Sequence, residues 1–242
     1  MLRRCGAAAA GSAWRVGSVG RVARLERRGA KGYGWLHRYY QELEVTEAKE
    51  AAWASAPALP DPVGGVPALR PRAFIDFKIG GKEAGRVTVE LAQDLLPKTV
   101  ENFLELCRGT RATVAGQENT KIGYKGCVVH HLQKDKFLVT GDMFNNDGTG
   151  GHSALGTRYF EDEGFYVSHT KPGILSMATG GVDQNSSVFF FTLKSMPHLN
   201  GRHVAFGAVV DGMEVLEQIN QEISSKGRTL NPVTISECGV VE

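Results

Sequence analysis

The 242-residue chain lacks the sequence features that define several large protein classes. No stretch approaches the roughly 20 consecutive apolar residues that a membrane-spanning helix requires. Cysteine is scarce, because Cys5, Cys107, Cys127 and Cys238 are the only four, and no Cys-x-x-Cys pair occurs. Their wide spacing indicates neither a zinc site nor a disulfide framework, so we expect reduced cysteines that pack in the interior.

Acidic residues are almost absent from the first 40 positions. This stretch holds nine basic side chains against one acid, Glu26, although the net charge of the whole chain is only +2, so the remainder is acidic. Arg-rich, acid-poor leaders with Ala, Gly and Ser are typical of mitochondrial transit peptides. We therefore expect a mitochondrial protein, in the matrix or facing it. The alternatives are a cytoplasmic protein and a basic arm that binds RNA or an acidic partner; apart from this arm, we expect no nucleic-acid binding.

The composition divides the chain into three parts. Residues 1–32 form the basic leader. Residues 33–71 combine an aromatic and acidic stretch, compatible with a short helix that docks on its own domain or on a neighbour, with a linker rich in proline and glycine. Residues 72–242 form the globular domain.

Local signals predict the first elements of this domain. Two strand-like runs, 74–79 and 86–91, flank Gly80-Gly81 and indicate a β-hairpin. A helix is predicted to begin at Pro97 and to end at Gly109. A second helix is indicated by Met213, Val215, Leu216 and Ile219 at helical spacing. The short Val-, Phe- and Thr-rich runs between the helices are typical of an all-β barrel.

The domain closely resembles the cyclophilins, a family of peptidyl-prolyl cis-trans isomerases, from Phe74 to the end of the chain. The segments that carry the resemblance are Gly85-Arg86-Val87, Pro97-Lys98-Thr99, Glu101-Asn102-Phe103, Gly123-Tyr124-Lys125-Gly126, Gly148-Thr149-Gly150-Gly151, Phe160-Glu161-Asp162-Glu163 and Pro172-Gly173-Ile174-Leu175-Ser176-Met177-Ala178. The resemblance implies a mainly β fold, an eight-stranded antiparallel barrel capped by two α-helices, with a binding groove on its outer face. The segment from Arg111 to Ile122 is longer than in the shortest family members.

By this resemblance, the groove binds a proline-containing peptide or protein segment and uses no cofactor. The resemblance places five side chains at the proline pocket: Phe137, Leu138, Phe190, Leu199 and His203. The apolar half of the family's site is therefore expected to be present. We expect no metal, because His130, His131, His198 and His203 are joined by no carboxylate or cysteine at ligand spacing.

The polar half of the family's site is replaced. His131 stands at the catalytic arginine position, and Thr140 and Val188 stand where two glutamines normally orient the arginine and the substrate. Thr179 and Gly180 occupy the positions whose backbone pairs with the substrate. His198 replaces a common tryptophan, so the resemblance implies weak cyclosporin binding.

Three hypotheses of function follow. In the first, an isomerase with an impaired catalytic site serves as a structural or scaffolding subunit of a mitochondrial multiprotein complex. In the second, the chain is an active prolyl isomerase that assists protein folding, with His131 as the donor. In the third, the domain binds proline motifs without turnover.

Overall fold

The computed structural model describes residues 70–114, 117–222 and 229–241 of the chain. The basic leader 1–32 lies outside the described residues, and so does the segment 33–71 except for its last two residues. None of the helices in the described part of the chain is long and apolar enough to cross a membrane.

Ten strands, two α-helices and one short 3₁₀-helix make up the described part of the chain. In chain order they are β1 (Arg72–Ile79), β2 (Lys82–Leu91), α1 (Pro97–Arg108), β3 (Thr110–Val114), β4 (Gln117–Ile122), β5 (His131–Gln133), β6 (Phe137–Thr140), β7 (Ile174–Met177), β8 (Phe189–Thr192), the 3₁₀-helix Pro197–Leu199, β9 (Ala205–Asp211), α2 (Met213–Gln221) and β10 (Val233–Val241).

The first hairpin forms where its turn residues predict it. Gly80 and Gly81 have φ values of 56° and 83°, which residues without a Cβ adopt at little cost. Along β1, alternate side chains point inward, and Ala73, Ile75 and Phe77 are completely buried. The predicted hairpin is confirmed.

Eight strands form one antiparallel sheet in the order β10-β1-β2-β9-β7-β8-β6-β5. The segment before β5 bonds back to β10: the Val129 amide donates to the Val233 carbonyl over 2.9 Å, and the Ile235 amide donates to the Cys127 carbonyl over 2.9 Å. These bonds connect the two ends of the sheet. The predicted mainly β fold with eight antiparallel strands and two helices is confirmed.

Both predicted helices are present. Helix α1 begins at Pro97 and ends before Gly109, whose φ is 75°. Its buried face includes Val100, Phe103 and Cys107, as the spacing predicts. Helix α2 buries Val215, Leu216 and Ile219.

Aromatic rings fill the interior of the barrel. Phe103 of α1 lies 5.2 Å from Tyr124, 5.3 Å from Phe189 and 5.2 Å from Phe206, measured between ring centroids. Such aromatic contacts contribute packing energy beyond the area that they bury. Because this interior is filled with side chains, it leaves no room for a ligand inside the barrel.

Strands β3 and β4 form a separate two-stranded sheet. Strands β3 and β4 pair with each other from Thr110↔Ile122 to Val114↔Gln117. This hairpin follows the last turn of α1, and it does not pair with the eight-stranded sheet.

Candidate functional site in the outer groove

A second, smaller apolar cluster lies on the outer face of the sheet. Its buried members are Val139, Val188 and Phe190, which come from β6, the residue before β8, and β8. Partly buried Phe137, Ala178 and Leu199 pack against them. This cluster is separate from the interior core, and we call it the outer cluster.

Phe190 is the centre of the outer cluster. Its ring is 4% exposed and contacts three other rings. Phe137 lies 5.9 Å away, His203 lies 5.4 Å away and perpendicular to it, and His169 lies 6.0 Å away at an interplanar angle of 10°. Aromatic and aliphatic side chains therefore surround Phe190 on several sides, and we call the apolar surface that they form the recess.

Two histidines, the buried His169 and the half-buried His203, support Phe190 in their neutral form. Burial lowers the pKa of His203, and its Nδ1 lies 3.1 Å from the Met177 carbonyl, so this nitrogen carries the proton and donates. Burial likewise lowers the pKa of His169 to about 4, against the opposing hydrogen bond with Asn200. The His169 ring nitrogens contact Asn200 Oδ1 and Ser176 Oγ, each at 3.0 Å. Both rings therefore act as fixed walls at neutral pH.

His131 stands at the rim of this recess. It is exposed, and its ring centroid lies 5.7 Å from that of Phe137. The residue directly opposite it on the neighbouring strand is Val139. A valine cannot accept or donate a hydrogen bond, so this neighbour cannot orient the imidazole.

A groove with a volume of about 870 Å³ extends along this rim. Its walls include His130, His131, Val139, Asn146, Asp147, Gly148, Ala178, Thr179, Gly180, Val188 and Leu230. None of the described residues that line it is a lysine or an arginine. Among the residues that the structure describes, the groove therefore offers no side chain with a fixed positive charge.

The hydroxyl of Thr179 is engaged within its own turn. It donates to the Gly181 carbonyl, and it accepts the Gly181 amide over 3.2 Å. The next residue, Gly180, is exposed. This turn presents backbone rather than a free polar side chain to the groove.

Most residues predicted for the site are brought together. Phe137, Val188, Phe190 and Leu199 belong to the outer cluster, and His203 contacts Phe190. Along the groove lie His131, Thr179 and Gly180. His198 is exposed in the 3₁₀-helix that also contains Leu199.

Two predicted positions are corrected. Leu138 is fully buried in the interior core, and Thr140 is fully buried with its hydroxyl donating to the Val128 carbonyl over 3.1 Å. Side chains on a strand alternate between faces, so a register error of one residue moves a side chain to the opposite face. The groove position that the prediction gave to Thr140 is occupied by Val139. Strand alternation starting from Phe137 would have found it.

No metal centre is apparent in the part of the chain that the structure describes. There, no three His, Cys, Asp or Glu side chains are grouped so that they could hold an ion. His130 faces the groove, and burial lowers its pKa, with the nearby Asp142 opposing this effect. A neutral imidazole at this point adds polarity to the wall without adding charge.

The fold and the outer groove agree with the comparisons to known proteins. Residues 74–240 match the sequence model of the family described as cyclophilin-type peptidyl-prolyl cis-trans isomerase/CLD. The chain therefore belongs to the cyclophilin family.

A named relative supports this membership. Over 173 residues, the chain is 42% identical to a Kluyveromyces lactis protein called peptidyl-prolyl cis-trans isomerase D. The alignment covers 71% of this chain and 46% of that protein. The chain thus spans about half the length of this curated relative.

Proposed function

We propose that this cyclophilin binds a proline-containing segment in its outer groove and has little or no isomerase turnover. One observation carries the proposal: an apolar cluster surrounds Phe190, while the rim beside it consists of His131, Val139 and Val188. The recess fits the saturated ring of proline. The rim provides no guanidinium and no side-chain amide at these three positions.

The chemistry of rotation explains why the rim matters. The barrier to rotation about a peptide bond is about 18–20 kcal/mol, because the nitrogen lone pair is delocalised into the carbonyl. A catalyst must stabilise the twisted state more than the planar one. Removal of one donor that stabilises a transition state costs about 10²–10³ in rate. His131 is exposed and faces Val139, so no neighbouring side chain on that strand holds its imidazole against a twisting bond.

A rescue experiment tests the proposal. In a protease-coupled assay on proline peptides, we expect the full-length chain to give a rate close to the uncatalysed one. The triple variant His131→Arg, Val139→Gln and Val188→Gln should raise this rate by a factor of at least about 10², which is the effect expected of one such donor. Gln133→Arg is the matched control, because it adds a guanidinium to the same strand outside the groove lining. A wild-type rate equal to that of the triple variant would contradict the proposal.

Binding is measured separately from turnover. In an NMR titration, a peptide containing proline should change the chemical shifts of the groove residues. The same peptide with alanine in place of proline should change them much less. Phe190→Ala should remove this difference, because it opens the recess. The expected loss of affinity for cyclosporin follows from His198, which lacks the indole donor of a tryptophan.

The position of His131 favours a second candidate, a weak isomerase that assists folding. Its ring lies beside Phe137 at the groove, where an imidazole could donate to a bound peptide. His131→Ala decides between the candidates. The weak isomerase is favoured if wild type shows turnover above background and this substitution abolishes it while the protein still binds the proline peptide.

For the cellular role, we propose a structural or scaffolding subunit of a mitochondrial multiprotein complex. The support is the Arg-rich, acid-poor leader together with a groove suited to binding. Fractionation of native mitochondria tests this role. Co-migration with a complex of fixed stoichiometry supports a subunit, whereas a free monomer that binds proline peptides supports an independent proline-reading module. Cytoplasmic recovery of the chain would contradict the mitochondrial location.

A further inference from the structure

A second cavity, of about 470 Å³, lies between the last turn of α1, the end of β4, the loop after β6, and β10. It shares no lining residue with the outer groove. Its volume falls within the range of about 300–1,000 Å³ that is typical of ligand pockets. Two residues of its wall, Leu106 and Ile122, belong to the interior core. We call this space the second cavity.

An exposed phenylalanine stands in the wall of the second cavity. Phe144 is 44% exposed, and it belongs to the few large apolar side chains that are exposed in the described part of the chain. The preceding residue, Met143, also lines the cavity and packs partly buried against the interior core. An exposed ring beside buried apolar groups gives one aromatic or aliphatic side chain of a partner a surface to pack against.

The rest of the wall is rich in positive charge. Arg108, Lys121 and Lys125 line the second cavity, and the only carboxylate among its described lining residues is Glu237. Outside the first 40 positions the chain is acidic overall, so this local excess of positive charge runs against the average of the domain. The second cavity therefore combines an apolar surface with a basic one, which the outer groove does not.

Ion pairs within the domain neutralise these cations only in part. Lys125 pairs with Glu237, and Arg108 pairs with Glu105 over 2.8 Å. All four side chains are at least 39% exposed, and ion pairs in such exposed positions contribute little stability, so they can exchange partners at low cost. In the described part of the chain, no carboxylate forms an ion pair with Lys121.

Lys121 also lies opposite a second cation. In the register of β3 and β4, its direct partner is Arg111, and both side chains are exposed. Like charges directly opposite each other on paired strands are unfavourable. A carboxylate that binds beside them would remove this repulsion, so the hairpin is suited to an acidic partner.

We propose that the second cavity is a docking site for an acidic linear segment of a protein partner that carries one aromatic or aliphatic anchor side chain. The anchor packs against Phe144 and Met143, and the carboxylates beside it pair with Lys121, Arg111 and Arg108. A nucleic acid fits less well, because the domain is acidic overall and the cations surround an apolar surface rather than form a continuous basic stripe. The inference does not depend on binding or turnover in the outer groove.

Fluorescence anisotropy with the full-length chain tests the proposal. The probe is a short labelled peptide with one phenylalanine flanked by glutamates and without proline. We expect saturable binding that weakens as the salt concentration rises, because salt screens exposed charges. Two comparison peptides, one with lysine in place of glutamate and one with alanine in place of phenylalanine, should bind at least about tenfold more weakly. Absence of saturable binding, or equal binding of the three peptides, would overturn the proposal.

Substitutions locate the site of binding. Lys121→Glu should weaken binding of the acidic probe at least about tenfold, and it should not destabilise the hairpin, because it places an acid opposite Arg111. Phe144→Ala should weaken binding by a similar factor, because the anchor loses its contact. Lys82→Glu is the matched control and should leave affinity unchanged, since Lys82 is exposed at the start of β2 and lines neither cavity nor groove.

Two outcomes of these measurements would assign the binding elsewhere. Affinity that Lys121→Glu leaves unchanged would place the probe on the basic leader, and an equal loss with Lys82→Glu would show that only the total charge matters. Either result would overturn the docking site.

Two further measurements separate this site from nucleic-acid binding and from the outer groove. A single-stranded RNA oligonucleotide that binds more tightly than the acidic probe, and that Lys121→Glu releases, would overturn the choice of a protein partner. The proline peptide should bind Lys121→Glu as well as it binds wild type. The proposal for the outer groove and the proposal for the second cavity can therefore fail separately.

Discussion

The carboxylate of Glu163 caps the start of α1 at Thr99. Its Oε2 atom accepts the Thr99 amide and the Thr99 hydroxyl, each over 2.8 Å, and Oε1 accepts the Lys98 amide over 2.9 Å. Helix α1 has no side-chain cap of its own, so a residue 64 positions away satisfies its first amides. An anion at this end also interacts favourably with the helix dipole.

Loss of this cap should destabilise the domain. We expect Glu163→Ala to lower the free energy of unfolding by about 1–2 kcal/mol, because two amides and one hydroxyl lose their acceptor. Denaturant unfolding of the full-length chain measures the change. Glu161→Ala is the control, since Glu161 is exposed two residues earlier. Equal stability of the two variants would show that Glu163 does not cap the helix.

Asp142 should couple the stability of the loop after β6 to pH. Its carboxylate is buried, which opposes ionisation, yet it accepts backbone amides from Asn145, Gly150, Phe144 and Asp147, and the net effect is a pKa well below the usual range. A lowered folded-state pKa stabilises the protein above the unfolded-state pKa, and this stability is lost as pH falls through the folded-state value.

We expect Asp142→Asn to lower the free energy of unfolding by about 3 kcal/mol at pH 7, because a neutral amide has only one acceptor oxygen for these donors. The difference from wild type should shrink below the ordinary carboxyl pKa of about 3.9. Chemical denaturation at several pH values measures it. Asp211→Asn, at an exposed position, is the control. A stability difference between wild type and Asp142→Asn that stays constant down to pH 2 would show that the Asp142 charge is not its cause.

His169 should make the stability of the domain sensitive to mild acid. Burial first, and then the nearby His203 and His198, lower its pKa to about 4, whereas an unfolded histidine has a pKa of about 6.5. The unfolded state therefore binds an extra proton between these values, and stability falls as pH decreases from about 6.5 to 4. The loss should approach roughly 3 kcal/mol.

An NMR titration of the His169 ring and a stability profile of His169→Gln test this expectation. The variant should lose stability less steeply across this pH range than wild type, because it lacks the imidazole that takes up a proton on unfolding. Carboxylate groups contribute equally to both proteins, so their effect cancels in the difference. Proline-peptide binding to the folded protein should weaken only as pH falls to about 4, because the ring stacked on Phe190 stays neutral above that value. A His169 titration midpoint near 6.5 in the folded protein would contradict the buried, neutral assignment.

Local signals account for much of the fold. Gly80-Gly81, Pro97 and Gly109 mark a hairpin turn and two helix ends because backbone geometry at those points depends on the residue itself. The order of the cyclophilin motifs along the chain predicts the barrel topology. The assignment of Leu138 and Thr140 to the groove was wrong because a resemblance aligns segments, whereas the face of a strand depends on register to a single residue. The Glu163 cap depends on a contact between distant segments, which no local pattern encodes.

A pair of adjacent substitutions in β6 tests the corrected register. Leu138→Ala should lower the free energy of unfolding by about 2–5 kcal/mol, because it leaves a cavity in the interior core, and it should leave peptide affinity nearly unchanged. Val139→Ala should cost less stability. It should weaken binding of the proline peptide about fivefold to tenfold, because apolar contact area in the groove is lost. Leu138→Met gives the same comparison if the alanine variant does not fold.

The reverse pattern, with affinity lost at Leu138 and kept at Val139, would return Leu138 to the groove. In that case Thr140 rather than Val139 would face His131, and the rim would regain a hydroxyl.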